Sequence, residues 1–313
     1  MKLKQILNYL GKGLLVISVI YMVRNIVAYR ESLTAVLTPS ILGYSIICLL
    51  LYCAFVMIAG CLYCKLLCCV TGSEFNYGRV ILIYSKSNLY KYLPGNVAHY
   101  LGRQEIAAND KAVHGRVAFC SIVEAGISCI ASLLAALALS YGFVAEWLST
   151  ADLSILFVAA AVGVLVIIIL CFVFRKKKTI VIDAIKYYCT KRNVGWVSFM
   201  LIYNVVNQIA IGLLFAQLLK LMNVALPDGF FLRVAGVYAF AWLAGFITPG
   251  VPGGIGIRES MLTLLLNSIV ASEAIVAAVL INRMLTVLAD ALAYPTAFLL
   301  SKLLNKGVVA DCE

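Results

Sequence analysis

The chain has 313 residues, 64% of them hydrophobic and 12% charged, with a mean hydropathy of +1.02 and a formal net charge of +11. That balance excludes a soluble globule and points to a polytopic membrane protein. The basic surplus lies mostly between apolar runs, as positively charged cytoplasmic flanks do, so nucleic acid is not expected as a partner.

In chain order, Lys2, Lys4 and Lys12 precede an apolar run without a small-x-small cleavage site, which reads as a retained first span over about 13–30. A second span is expected at about 41–70, a broken segment at 77–108, and a third span at 112–140. The pattern then repeats, with spans at about 153–174 and 194–222, a broken segment at 230–266, and a sixth span at 272–300. Two membrane units follow, 1–152 and 153–313. Residues 179–192 read equally well as a short interfacial helix or a solvated loop.

Charge sets the orientation. The 141–152 loop has Glu146 and Asp152 and no Lys or Arg, whereas 175–192 carries Arg175, Lys176, Lys177, Lys178, Lys186, Lys191 and Arg192 against Asp183. Both termini are therefore expected in the cytoplasm, in a multi-pass protein of the inner membrane. Each half makes three crossings, so the second half must be inverted relative to the first. The expected fold class is an all-α polytopic membrane protein of two inverted repeats, each with three transmembrane helices plus a broken re-entrant hairpin.

The two broken segments carry the repeat most clearly. The first holds Pro94, Gly95, Asn96 and Arg103; the second holds Pro249, Gly250, Gly253, Gly254, Gly256, Arg258 and Glu259. Pro94 to Pro249 and Arg103 to Arg258 are both offsets of 155 residues (249 − 94 and 258 − 103), about half the chain. Proline breaks the helix, and broken backbone survives at membrane depth only inside protein or beside a wet cavity. Pro252 suits the first position of a following half-helix, whose unpaired N–H groups and positive end favour an anion. The glycines admit close approach of a ligand to backbone. No strand precedes them and no Lys-Ser/Thr follows, so a nucleotide loop is excluded.

An arginine at membrane depth needs compensation. Arg103 and Arg258 on opposed hairpins suit a phosphate clamp; pairing with carboxylates that only lock the hairpins suits them too. Ser121, Glu124 and Ser128 share one helix face, as do Arg283, Thr286 and Asp290. Subtracting 155 puts Arg283 and Asp290 at 128 and 135, on the face of Glu124, so both faces are expected to line a shared polar cavity. Glu124 reads as a proton-coupling group or as the counter-charge of Arg283 or Arg258. Asn204, Asn207 and Gln208 form a polar stripe that reads as interhelical glue or substrate contact. Arg24, Lys86 and Lys91 read as snorkelling residues. Cys61, Cys64, Cys68 and Cys69 share a helix face and read as small apolar fillers. With eleven cysteines but only His99 and His114, neither a metal site nor a disulfide framework is expected, and no cofactor.

The stretches Tyr92-Leu93-Pro94-Gly95-Asn96 with Gly102-Arg103, and Thr248-Pro249-Gly250 with Pro252-Gly253-Gly254-Ile255-Gly256-Ile257-Arg258-Glu259, resemble the signatures of the lysylphosphatidylglycerol synthase transmembrane-region family. The span pattern extends the likeness over nearly the whole chain. The resemblance implies a lipid translocase, with envelope-lipid biosynthetic enzymes as partners. It does not imply lysyl transfer, because no soluble synthase domain follows.

The expected function is a flippase for an anionic lipid or polyprenyl-phosphate-linked envelope lipid, with membrane lipids as partners and homo-oligomerisation left open. A secondary transporter of a soluble anion suits the inverted repeat equally well. A membrane-embedded lipid-phosphate enzyme has little support: there is no Asp-rich motif and no His-centred base beyond isolated His99 and His114. An enzyme is therefore not expected.

Overall fold

The computed structural model describes residues 38–92, 98–109, 114–150, 191–222, 224, 229–248, 256–267, 270 and 272–310. Among them the chain is helical, without a strand. Thr38 opens α1 (Pro39–Thr71) by accepting the Ile41 N–H on its hydroxyl, with Pro39 in the first turn, and Gly72 closes it in the left-handed conformation. Asn76 caps α2 (Tyr77–Asn88) in the same way, and α2 tightens into a 3-10 turn over Leu89–Tyr92. The remaining helices are α3 (Ala98–Asn109), α4 (His114–Thr150), α5 (Lys191–Leu221), α6 (Phe230–Ile247), α7 (Ile257–Leu266) and α8 (Ser272–Ala310).

Five helical stretches are long and apolar enough to cross a membrane: Pro39–Thr71, His114–Gly142, Asn193–Leu221, Phe230–Ile247 and Ala274–Leu303. Four of them coincide with expected spans. The fifth, α6, was expected as the first arm of a broken segment. At 18 residues it reaches about 27 Å, and its one charge, Arg233, sits near its start. The matching α2 has 12 residues and carries Arg79 and Lys86. The expected spans at 13–30 and 153–174, most of the basic 175–192 loop, and Arg24 lie outside the described residues.

Large apolar side chains face outward along the long helices, among them Ile46, Ile47 and Leu50 on α1, Phe199, Ile202 and Val206 on α5, and Leu299 and Leu303 on α8. In water such a surface would be a liability; in hydrocarbon it is the solvated face. This multi-pass, lipid-facing character is the coarse architecture.

The order of one long helix, two shorter ones and another long one occurs twice, α1–α4 and α5–α8. Packing repeats with it. α6 lies on α4 and α5 as α2 lies on α8 and α1, α4 packs on α5 as α8 packs on α1, and α3–α4 matches α7–α8. The first helices of the two sets run antiparallel: Tyr44 Oη donates to the Leu214 carbonyl at 2.8 Å, and Tyr203 Oη to the Phe55 carbonyl at 2.9 Å. Two large apolar clusters result, beside a small one of Ala135, Ala136 and Ala239 between α4 and α6. One joins the end of α1 to α2, α3 and α4; the other joins the start of α1 to α5–α8.

Close approach is built with glycine. A Cβ on Gly212 would meet the Ala235 carbonyl oxygen at 2.6 Å, and one on Gly236 would meet the Ser140 hydroxyl at 2.7 Å. Opposite Gly236, α4 departs from helical geometry at Ser140 (φ −138°, ψ 27°).

Candidate functional site

A cavity of about 250 Å³ opens between the two helix sets, and all eight helices contribute to its wall. Its lining is mixed: Phe55, Val56, Ala59 and Leu62 of α1 and Trp242 and Phe246 of α6 are apolar, while Arg103, Glu124, Arg258, Arg283 and Asp290, with Asn204 and Asn207 from α5, are polar or charged. Both faces expected to be polar, Glu124 with Ser128 and Arg283 with Thr286 and Asp290, line this one space. Pro94, Gly95, Asn96, Pro249, Gly250, Gly253 and Gly254 lie outside the described residues.

Arg103 is 3% exposed. Its Nη1 donates to Glu124 Oε2, and its guanidinium lies over the rings of Tyr84 (4.4 Å), Tyr63 (4.7 Å) and Tyr100 (5.4 Å). Tyr84 Oη donates to the other Glu124 oxygen at 2.8 Å. The counter-charge of Glu124 is thus Arg103, not Arg283 or Arg258. Ion pairing and aromatic faces together answer the desolvation of a buried guanidinium.

Arg258 is differently placed. It is half-buried, its guanidinium lies 5.4 Å from the Trp242 ring, and it has no carboxylate partner among the described residues. Its Nε has no hydrogen-bond acceptor among them, as Arg103 Nε has none; what differs is the carboxylate. Burial, and then the like charge of Arg283, hold its guanidinium below the usual value, though it stays cationic at neutral pH.

Glu259 does not serve Arg258, because neighbours on a helix do not face each other. One of its oxygens accepts the Gly256 N–H at 2.5 Å and the other accepts Arg283 Nε at 3.2 Å. It caps α7, where Gly256 takes φ 88°, and ties that cap to α8. Arg283 Nη2 remains buried without an acceptor among the described residues.

Asp290 receives two donors at 2.5 Å, Lys91 Nζ and Tyr92 Oη, from the turn that ends α2. Lys91 was expected to snorkel; a buried carboxylate across the cavity holds it instead. Lys86 pairs with Glu105 at 2.8 Å on a half-exposed surface. His99 lines the wall; burial, followed by the charges of Arg103 and Lys91, pushes its imidazole well down, so it is neutral. Asn204 and Gln208 bridge α5 to α4 through Ser128 (3.3 Å) and Ser132 (2.6 Å), as glue does, while the Asn207 carbonyl oxygen has no partner among the described residues. Ser121 bonds Tyr63 at 2.8 Å inside the helix packing. No group of three or more His, Cys, Asp or Glu gathers to hold a metal among the described residues.

The residues that sequence reasoning missed are tyrosines and one amide. In the second set, Tyr238 Oη accepts from Asn282 Nδ2 at 2.8 Å, and Asn282 Oδ1 accepts from Tyr52 Oη at 2.7 Å. Around them the surroundings of Arg103 recur. Tyr63 on Tyr84 (5.4 Å, 43°) is matched by Phe215 on Tyr238 (5.2 Å, 36°). Gly60, where α2 crosses α1, is matched by Gly212, where α6 crosses α5. No spacing in the sequence marked these tyrosines. Comparison with protein-family models, with curated proteins and with solved structures gives no match.

Proposed function

We propose that the chain is a translocase for an anionic lipid, built as two inverted repeats, with the head group passing through the central cavity while the tails stay in the bilayer. The observation that carries this reading is an arginine without a carboxylate partner among the described residues, Arg258, on the wall of a cavity lined by both polar and apolar side chains. An amphipathic space with an uncompensated cation suits a ligand with an anionic head and an apolar stem. The volume suits a head group, not a whole lipid.

The inverted arrangement is supported by the antiparallel course of α1 and α5 and by packing that maps onto itself when the two sets are exchanged. Alternating exposure would then come from rocking one set against the other around a fixed site. The resemblance of the two Pro-Gly stretches to the lysylphosphatidylglycerol synthase transmembrane-region family points the same way. On this reading the protein is a carrier, not an enzyme, in the cytoplasmic membrane with both termini inside.

The test is lipid flipping in liposomes, followed by dithionite bleaching of fluorescent phosphatidylglycerol. The wild-type chain should make inner-leaflet label accessible, and a folded Arg258→Ala protein should be at least tenfold slower. An unchanged rate in that variant would refute the site. Uptake of a soluble anion by liposomes in which no lipid moves would favour the secondary-transporter reading.

A further inference from the structure

Arg103 and Arg258 occupy matching places, but only one of them can offer its charge to a ligand. Beside Arg103 stand Tyr84 and Glu124, joined by a hydrogen bond of 2.8 Å. In the second set the corresponding bond, also 2.8 Å, joins Tyr238 and Asn282. The offsets are 154 (238 − 84), 155 (258 − 103) and 158 (282 − 124). An amide therefore stands where the first set has a carboxylate.

Asn282 is 4% exposed and engaged on both sides, by Tyr52 and Tyr238, and leaves Arg258 without a counter-charge among the described residues. Next along the wall, Arg283 spends one nitrogen on Glu259 and keeps Nη2 unpartnered among the described residues. The like charges of Arg258 and Arg283 repel each other, which an anion between them would relieve.

The charges around the cavity can be counted. Among the described residues, Lys91, Arg103, Arg258 and Arg283 line the space with Glu124 and Asp290, and Glu259 pairs with Arg283 beside it: four cations against three carboxylates, leaving one positive charge.

We infer that the anion is held by Arg258 and Arg283, with Arg103 locked away as a strut, and that the ligand carries a single negative charge, as a phosphodiester does, in preference to a phosphomonoester. A phosphomonoester brings about −1.5 to −2 at neutral pH, and the excess would be left uncompensated in a low-dielectric site. The lipid part of this assignment rests on the translocase reading; the locus and the charge preference do not.

Trp242 reports on the site, since its ring lies 5.4 Å from the Arg258 guanidinium. The full chain in detergent, with Trp147→Phe and Trp196→Phe leaving Trp242 as the sole tryptophan, is titrated with three probes. These are short-chain phosphatidylglycerol, short-chain phosphatidic acid, and glycerophosphoglycerol, the diester head group without tails. Saturable quenching by phosphatidylglycerol is expected, at least tenfold tighter than by phosphatidic acid at pH 8. Asn282→Asp, an isosteric change that supplies the missing carboxylate, should weaken it at least tenfold, and Arg283→Gln at least fivefold. Glu124→Gln, which releases a second cation, should move the preference toward phosphatidic acid.

Phosphatidic acid binding as tightly as phosphatidylglycerol, unchanged affinity in Asn282→Asp, or a silent Trp242 would each overturn the assignment, and would do so even if lipid flipping were intact. Equal affinity for glycerophosphoglycerol and for the lipid would keep the locus and place the ligand in solution, against the lipid translocase.

Discussion

The surroundings of Arg103 and Arg258 share a scaffold and differ in a few atoms. In both, a glycine sits where two helices cross, an aromatic ring from the first helix packs at a tilt on a tyrosine from the second, and a residue on the last helix bonds that tyrosine. Where the last residue is Glu124, the arginine is neutralised and the trio becomes a brace. Where it is Asn282, the arginine keeps its charge and faces the cavity. On the proposed reading, one of two like arrangements holds the shape and the other binds.

The largest expected effect breaks the brace. Glu124→Ala leaves Arg103 buried and unpaired, and removing one partner of a buried pair costs ~3–5 kcal/mol. Thermal unfolding in detergent should show it as the least stable of the variants considered. Arg258→Met is the contrasting change. It removes a half-buried cation that no carboxylate compensates, so its unfolding temperature should equal or exceed that of the parent, while flipping is lost. A comparable loss of stability in both variants would mean that the two arginines do the same work, and the comparison would collapse.

Helix contact gives the next pair. Gly212→Ala drives a Cβ to 2.6 Å from the Ala235 carbonyl oxygen, which is backbone and cannot turn aside. Overpacking of this kind costs ~1–3 kcal/mol. At the matching place, a Cβ on Gly60 would find its nearest atom, Tyr84 Cδ1, at 3.4 Å. Gly60→Ala should therefore be nearly neutral by the same unfolding measurement. Equal losses would show that α1–α2 is as tightly closed as α5–α6.

The aromatic pair separates the sets further. Tyr63 bonds Ser121 at 2.8 Å and the Val117 carbonyl at 3.4 Å, and Ser121 also holds that carbonyl, so Tyr63→Phe removes the hydroxyl's bonds but strands little, for ~0.5–1.5 kcal/mol. Phe215→Tyr is the reverse change in a fully buried place. By the 158-residue offset the counterpart of Ser121 is Val279 (279 − 121), which offers no hydrogen-bond partner. An unsatisfied hydroxyl there costs ~1–3 kcal/mol. Introducing the symmetric residue should hurt more than removing the native one, and a stabilised Phe215→Tyr protein would show an acceptor within reach.

The long helices were legible because their signals are local: Thr38-Pro39 at the start of α1, Gly72 at its end, and unbroken apolar sequence between. The shared cavity was legible for a subtler reason. A fixed offset of 155 pairs Glu124 with Val279, whereas the hydrogen bonds pair it with Asn282. That slip is three residues, and positions three apart share a helix face. The error changed the partner and kept the face, so Arg283 and Asp290 were placed on the correct wall while Asn282 was passed over. Lys91 was misread because its carboxylate, Asp290, is 199 residues away (290 − 91) and joins it only through the packing of α2 on α8. Tyr84 and Tyr238 carry no spacing signal, since tyrosine in an apolar run reads as core until a partner is seen.

The smallest expected effect lies two residues from Arg103 along α3. Lys86 and Glu105 make a 2.8 Å ion pair with side chains 38% and 43% exposed. An exposed pair loses in side-chain entropy and screening much of what it gains, so Lys86→Ala should cost ~0–1 kcal/mol and less as salt rises. The second set supports that size: the position 155 residues beyond Glu105 is the exposed Ser260, and α7 forms there without the bridge. A loss approaching that of Glu124→Ala would mean that Lys86–Glu105 braces the α2–α3 hairpin as firmly as the buried pair beside it. The division between a stabilising arginine and a binding one would then have to be redrawn around three charged pairs in place of two arginines.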